Sequence, residues 1–225
     1  MLVVCYFKIK EQRLFLRKVC AAIKKENIER LWYMKKSVLV LFAVVFLSPY
    51  SLLGTQFRKV PWLTEEAINF LELFLQNKRD AKILEFGSGA STIWFAQRTK
   101  NLVSIEHNAH WFKTVLDKLK ADKTVINVKL SLKKRPYHTA CDAFPDETFD
   151  LILVDGRNRK LCIINSLRIL KRGGILMLDN AERSYYQCVI NEYLKNWKVY
   201  KTIQKTPDAC GFCYPNWQTN WWIKP

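Results

Sequence analysis

The sequence is short of several things, and each shortage narrows its class. Only seven glycines occur in 225 residues, and neither an internal repeat nor a low-complexity linker is present, which excludes a fibrous or disordered chain. Acidic residues are scarce: 20 Asp and Glu face 37 Lys and Arg, for a net charge of +17. That balance favours anionic partners, whether nucleic acid, acidic lipid or a phosphorylated substrate, but selects none of them, and a solvated basic surface satisfies it equally. The seven cysteines are odd in number and scattered, unlike the dense framework of a small secreted domain, so a reducing compartment is expected. Cys210 and Cys213 form a C-x-x-C without a second pair or a redox context. Histidines number three (His107, His110, His138), none with an assigned role, and no catalytic triad is visible.

What is present is apolar mass. With 49% hydrophobic and 13% aromatic residues, the chain can bury one core of ordinary domain size. We divide it into a basic N-terminal extension, 1–57, and a domain, 58–225. Residues 1–36 carry ten Lys and Arg against three Glu, with Leu14, Val19, Ile23 and Leu31 at roughly helical intervals. A basic amphipathic helix is expected there.

From Ser37 to Phe57 no residue is charged, and the centre reads VLVLFAVVFL. This length approaches the roughly 20 residues that a bilayer requires, yet the strongly apolar part runs only from Val38 to Leu47 and Pro49 interrupts it. An interfacial helix, or one packed on the domain, fits as well as a spanning one. A secretory signal starting at Met34 lacks a small-residue cleavage site. The expectation is a cytoplasmic protein attached to the cytoplasmic face of a membrane through 1–57.

After Trp62, Thr64 is placed to cap a helix whose first turn carries Glu65 and Glu66 and whose stripe is Ala67, Leu71, Phe74 and Leu75. From Lys82 onward strands and helices alternate: strands at 82–86, 102–107, 125–130, 149–156, 174–180, 197–203 and 217–223, and helices at 91–97, 110–120, 161–170 and 184–194. LILV and ILML are apolar at every residue, as in central strands covered on both faces. The expected fold is α/β, Rossmann-like and doubly wound, with a mainly parallel seven-stranded sheet and helices on both faces. The tail with Trp217, Trp221 and Trp222 reads as an edge-region strand with alternate aromatics buried.

The most informative stretch is Ile83-Leu84-Glu85-Phe86-Gly87-Ser88-Gly89-Ala90-Ser91-Thr92: a strand, a glycine turn and a helix start. Gly87 and Gly89 allow a sharp turn and a close backbone approach to a ligand, and Ser91 or Thr92 is placed to cap the helix. Glu106 ends the next strand 21 positions after Glu85, where a carboxylate can accept both hydroxyls of a ribose. A nicotinamide dehydrogenase fits less well, because the third glycine of its fingerprint would fall at Thr92.

Here the chain resembles the class I S-adenosylmethionine-dependent methyltransferases: ILEFGSGAS matches their first motif, IEH the acidic end of their second strand, and FDLILVDG and GGILMLDN their fourth and fifth strands. The resemblance covers about residues 64–225. It implies a pocket for S-adenosyl-L-methionine in which Glu85, Gly87, Ser88, Gly89 and Ser91 surround the methionine part, Glu106 holds the ribose and Asp142 meets the adenine. Ser91 stands where the family often has a third glycine.

Asp155 ends one apolar strand, and Asp179 and Asn180 end the next, so three oxygen ligands are expected to converge at the carboxyl edge of the sheet. Two acids and an amide suit a hard cation such as Mg2+, and the set is similar to the metal site of catechol-type O-methyltransferases. The alternatives are that these acids cap the following helices or bind substrate directly. The resulting expectation is methyl transfer, mainly to oxygen of a small-molecule or glycan acceptor, with Asp155 as catalytic residue. The rival is a non-catalytic basic adapter of the same fold that binds nucleic acid or acidic lipid.

Overall fold

Seven strands and the helices between them follow the apolar pattern of the sequence from Glu65 to Ile223. The computed structural model describes residues 60–125, 128–207 and 216–225. The extension 1–57 and the C-x-x-C pair lie outside the described residues, and among the described residues no helix is long and apolar enough to cross a membrane.

In chain order the elements are α1 (Glu65–Asn77), β1 (Lys82–Phe86), α2 (Ala90–Ala96), β2 (Asn101–Glu106), α3 (Ala109–Ala121), β3 (Val128–Leu132) and a 3-10 helix (Tyr137–Ala143). Then follow β4 (Phe149–Val154), α4 (Arg159–Ile169), β5 (Leu170–Asp179), α5 (Ser184–Val189) running into a π turn (Ile190–Leu194), β6 (Lys198–Tyr200) and β7 (Thr219–Ile223). The sheet order is β3-β2-β1-β4-β5-β7-β6. The first five strands are parallel, and β7 runs antiparallel to both β5 and β6.

Alternation along the strands builds two cores. Leu84, Phe86, Ile105, Ile152, Val154, Leu176 and Leu178 meet Cys162, Ile163 and Ile169 of α4 and Tyr186 and Val189 of α5 on one face. Ile83, Leu102, Leu151, Leu153, Ile175 and Met177 meet Ala67, Leu71 and Leu75 of α1, Phe95 of α2 and Val115 of α3 on the other. All six residues of β4 are buried, each large apolar one adding about 1.5–3 kcal/mol relative to exposure. The order of strands reverses between β1 and β4, so the carboxyl ends of these two strands frame the crevice where such sheets bind ligands.

Three expectations change. Thr64 does not cap α1 with its side chain; its hydroxyl pairs with that of Thr202 at 2.6 Å, and Gln204 Oε1 accepts the Glu65 N–H instead. The strand expected at 197–203 shortens to β6, because Thr202 N–H finds the Asn220 side chain rather than a ladder carbonyl. The tryptophan tail is not at an edge: β7 sits between β5 and β6, and Trp217, Trp221 and Trp222 are all buried, covered from both sides.

Candidate cofactor and acceptor site

The turn after β1 is built from backbone that only glycine permits. Gly87 has φ +97, and a Cβ there would stand 2.6 Å from the Cα and N of Gly156 in the turn after β4. The requirement at Gly87 is therefore the contact between two protein loops, not an approach to a ligand. Gly89 is different: a Cβ there would meet nothing nearer than Trp111 Nε1 at 4.0 Å, so this position lies open. Trp111, from the first turn of α3, donates its indole N–H to the Ser88 carbonyl and braces the turn.

Glu106, at the carboxyl end of β2, organises the same turn. Its Oε2 accepts the Ser88 N–H at 3.0 Å, and its Oε1 accepts the N–H groups of His107 (2.8 Å) and Asn108 (2.7 Å). Three backbone donors fix the carboxylate in one orientation. His107 Nδ1 lies 2.9 Å from Oε1 but is not aligned for a hydrogen bond. Tyr137, which nothing in the sequence pattern singled out, packs edge-on against Phe86 and lies 5.5 Å from the His107 ring, closing one wall. Its hydroxyl donates to the Arg157 carbonyl, and burial holds its pKa well above the usual phenol value.

Glu85 does not face a ligand. It is completely buried beneath the turn, where it accepts hydrogen bonds from the hydroxyls of Ser91, Thr92 (2.6 Å) and Ser104 (2.5 Å). Burial raises its pKa from 4.5 to about 7, against the lowering effect of the three hydroxyls. The Thr92 hydroxyl also accepts the Gly89 N–H at 2.8 Å, so this side chain ties the turn to Glu85. Ser88 turns its hydroxyl to Ser104 at 2.7 Å. Ser91 likewise points inward, so its side chain takes no room from a methionine tail.

Asp142 is displaced from the site by the direction of the 3-10 helix. Tyr137 starts that helix at the carboxyl edge, but its far end is held by Arg168 from the last turn of α4, which donates to the Cys141 and Phe144 carbonyls. Asp142 is therefore exposed near the amino end of β4, away from the crevice.

Asp155 and Asp179 do converge at the carboxyl edge, where their carboxyls hydrogen-bond to each other and a guanidinium packs beside both. Arg159, in the first turn of α4, donates from Nη2 to Asp155 Oδ1 (2.8 Å) and to the Asp155 carbonyl (2.7 Å), from Nε to the Gly156 carbonyl (2.9 Å), and from Nη1 to the Asp179 carbonyl. Its Nη1 also lies 3.6 Å from Asp179 Oδ2. The other oxygen of Asp179 accepts Trp217 Nε1 (2.9 Å) and the Thr219 hydroxyl (2.8 Å). Asn180 adopts a left-handed backbone, φ 55. Burial raises the pKa of both carboxyls: in Asp155 the neighbouring Asp179 adds to the rise and Arg159 opposes it, while in Asp179 Arg159, Trp217 and Thr219 oppose it. Of the expected Mg2+ ligands, one oxygen of Asp155 is taken by Arg159 and one of Asp179 by Trp217 and Thr219, while the two carboxyls also hydrogen-bond to each other, so the guanidinium already balances part of the charge that a metal ion would meet there. Among the described residues no group of three His, Cys, Asp or Glu is placed to hold one. The pairing of Arg159 with Asp155 was not expected, although the two stand four residues apart, Asp155 just after β4 and Arg159 at the start of α4.

Beside these acids a cavity of about 320 Å³ opens, lined by Trp62, Asp155, Arg159, Asp179, Asn180, Arg183 and Trp217. Because Asp155 and Gly156 follow β4 and Gly156 touches Gly87, this cavity adjoins the turn after β1.

Residues 84–181 match a family model described as a methyltransferase domain. Among solved structures the chain is similar to precorrin-6y C5,15-methyltransferase from Geobacter metallireducens GS-15, at 19% identity and a TM-score of 0.56, covering 76% of this chain and 96% of that one. It is similar to an O-methyltransferase from Bacillus cereus in complex with SAH, at 17% identity and a TM-score of 0.54, covering 73% and 84%. A third similar structure is an S-adenosylmethionine-dependent O-methyltransferase from Thermotoga maritima, at 14% identity and a TM-score of 0.52, covering 75% and 68%. No curated protein matches.

Proposed function

We propose that this domain, which has the class I S-adenosylmethionine-dependent methyltransferase fold, transfers a methyl group to an oxygen of a small-molecule or glycan acceptor. The observation that carries the reading is the contact of two turns: the one that Glu106 orients and the one that carries Asp155 meet backbone to backbone at Gly87 and Gly156. A donor on the first turn and an acceptor in the cavity beside the second are thereby neighbours.

S-adenosyl-L-methionine supplies a methyl group on a sulfonium, which needs little covalent help to leave. The chain's own part is to hold and align. Glu106, fixed by three backbone N–H groups, receives the ribose hydroxyls, and the open backbone at Gly89 receives the amino-acid part. In the cavity, Asp155, anchored by Arg159, takes the proton of the acceptor hydroxyl. The exposed ring of Trp62 at the cavity rim offers a flat apolar surface to an acceptor ring.

Isothermal calorimetry with S-adenosyl-L-homocysteine tests this reading. Saturable binding is expected, weakened at least about tenfold in Glu106→Ala, since a charged hydrogen-bond acceptor is removed. Unchanged affinity in that variant rejects it. The extension 1–57 is proposed to attach the protein to the cytoplasmic face of an acidic membrane. Co-sedimentation of the full chain, but not of a protein starting at Lys59, with phosphatidylserine vesicles is the expected result; equal sedimentation of both rejects the attachment.

A further inference from the structure

We propose that Arg159 is a built-in counter-cation that fills the place of a divalent metal ion at the carboxyl edge, so that the acceptor cavity works without one. Two acids and an amide at the ends of β4 and β5 are what a hard cation asks for, and their convergence leaves negative charge to be balanced at a nearly buried place. The balancing charge comes from the same chain. Arg159 is 9% exposed at its side chain and lies beside both Asp155 and Asp179.

The count of donors shows how completely the guanidinium is used. Of its five N–H groups, one meets the Gly156 carbonyl, two meet Asp155, one meets the Asp179 carbonyl, and Nη1 also approaches Asp179 Oδ2 at 3.6 Å. A metal ion at this position would have to displace a planar group bonded at both ends. Asp179 Oδ1 is in turn held by Trp217 and Thr219, which fixes this carboxyl beside the guanidinium. The ring of Tyr186, 6.0 Å beneath the guanidinium carbon, adds a further cation-binding surface. Asp155, just after β4, and Arg159, in the first turn of α4, are four residues apart in the chain, so the pairing is local. The place of Arg159 stands on these contacts alone, and that the cavity beside it holds an acceptor rests on the methyl-transfer reading.

Removing the guanidinium converts the place into a vacant acid site, and this is the test. Mn2+ is titrated into the wild-type full chain and into Arg159→Ala, with free Mn2+ counted by electron paramagnetic resonance and thermal stability followed in parallel. The wild type is expected to take up no stoichiometric Mn2+ and to keep its melting temperature. Arg159→Ala is expected to bind one Mn2+ per chain and to gain about 5–10 °C at roughly a hundredfold excess over Kd. The further change Asp179→Asn should abolish that gain.

One Mn2+ bound by the wild type and lost in Asp179→Asn would overturn the inference. So would a folded Arg159→Ala that takes up none. Should Arg159→Ala not fold, Arg159→Met, which keeps the aliphatic stem, replaces it, and the wild-type titration still decides the main claim. Calorimetry with S-adenosyl-L-homocysteine, with and without EDTA, separates the two proposals. Absent binding in both sinks the methyl-transfer reading alone, whereas binding lost only with EDTA sinks metal independence alone.

Discussion

Glu85 makes the stability of the domain depend on pH in a direction opposite to that of a salt-bridged acid. Its carboxyl is completely buried, and burial raises its pKa from 4.5 to about 7. The folded chain therefore holds a proton that the unfolded chain releases as pH rises between these values. Where the folded state binds more protons, stability falls with rising pH, so the contribution is fully present below about pH 4.5 and is lost on passing through about pH 7. At 1.36 kcal/mol per unit, the loss amounts to about 3 kcal/mol. Glu85→Gln removes the titrating group and keeps a side chain of the same shape, while the hydroxyls of Ser91, Thr92 and Ser104 can turn to accept from its amide. Asp155 and Asp179 are also raised and slope the same way, so the difference between the two proteins is the quantity to read. Urea unfolding followed by tryptophan fluorescence from about pH 5 to about pH 8 should show Glu85→Gln gaining roughly 2–3 kcal/mol on the wild type across the range. Two stability curves that stay parallel would refute the reasoning.

The two glycines of the turn should part company. Gly87→Ala forces a Cβ against Gly156 and keeps a left-handed backbone, and should cost about 3 kcal/mol in urea unfolding. Gly89→Ala meets only Trp111 Nε1, at an ordinary contact distance of 4.0 Å, and should change stability by less than about 1 kcal/mol while weakening S-adenosyl-L-homocysteine binding in calorimetry. The reverse order would show that the open position has been misassigned. Trp217→Phe deletes the N–H held by Asp179 Oδ1 and should destabilise by about 1–3 kcal/mol, read by the same unfolding assay.

The helices and parallel strands were legible because the apolar pattern is strong where both faces are covered: β4 and β5 contain runs that only a buried strand explains. The glycine turn and Glu106 were legible as a constellation, from a strand end, a sharp turn and an acid one strand later. The orientation of Glu85 was not read, although a signal was present. Ser104 interrupts an otherwise apolar stretch of β2 and stands in register with Glu85, so a buried hydroxyl and a buried acid had to be partners. Asp142 is exposed near the end of the 3-10 helix that Arg168 holds, a placement that spacing along an irregular segment does not give. The pairing of Asp155 and Asp179 with a cation of the chain itself was not read for a similar reason. Ligand types at strand ends show which oxygens meet, but not which cation they meet, and Arg159 lies on the following helix.

The contact of Gly87 with Gly156 has a mechanical consequence. No side chain stands between these two turns, so there is nothing compressible to let one slide while the other stays put. On the proposed reading, the compartments for donor and acceptor are joined like two halves of a vice with a fixed gap. Exchange of spent for fresh molecules has to proceed from the outer walls, and reach along the line of transfer is set once, when the chain folds.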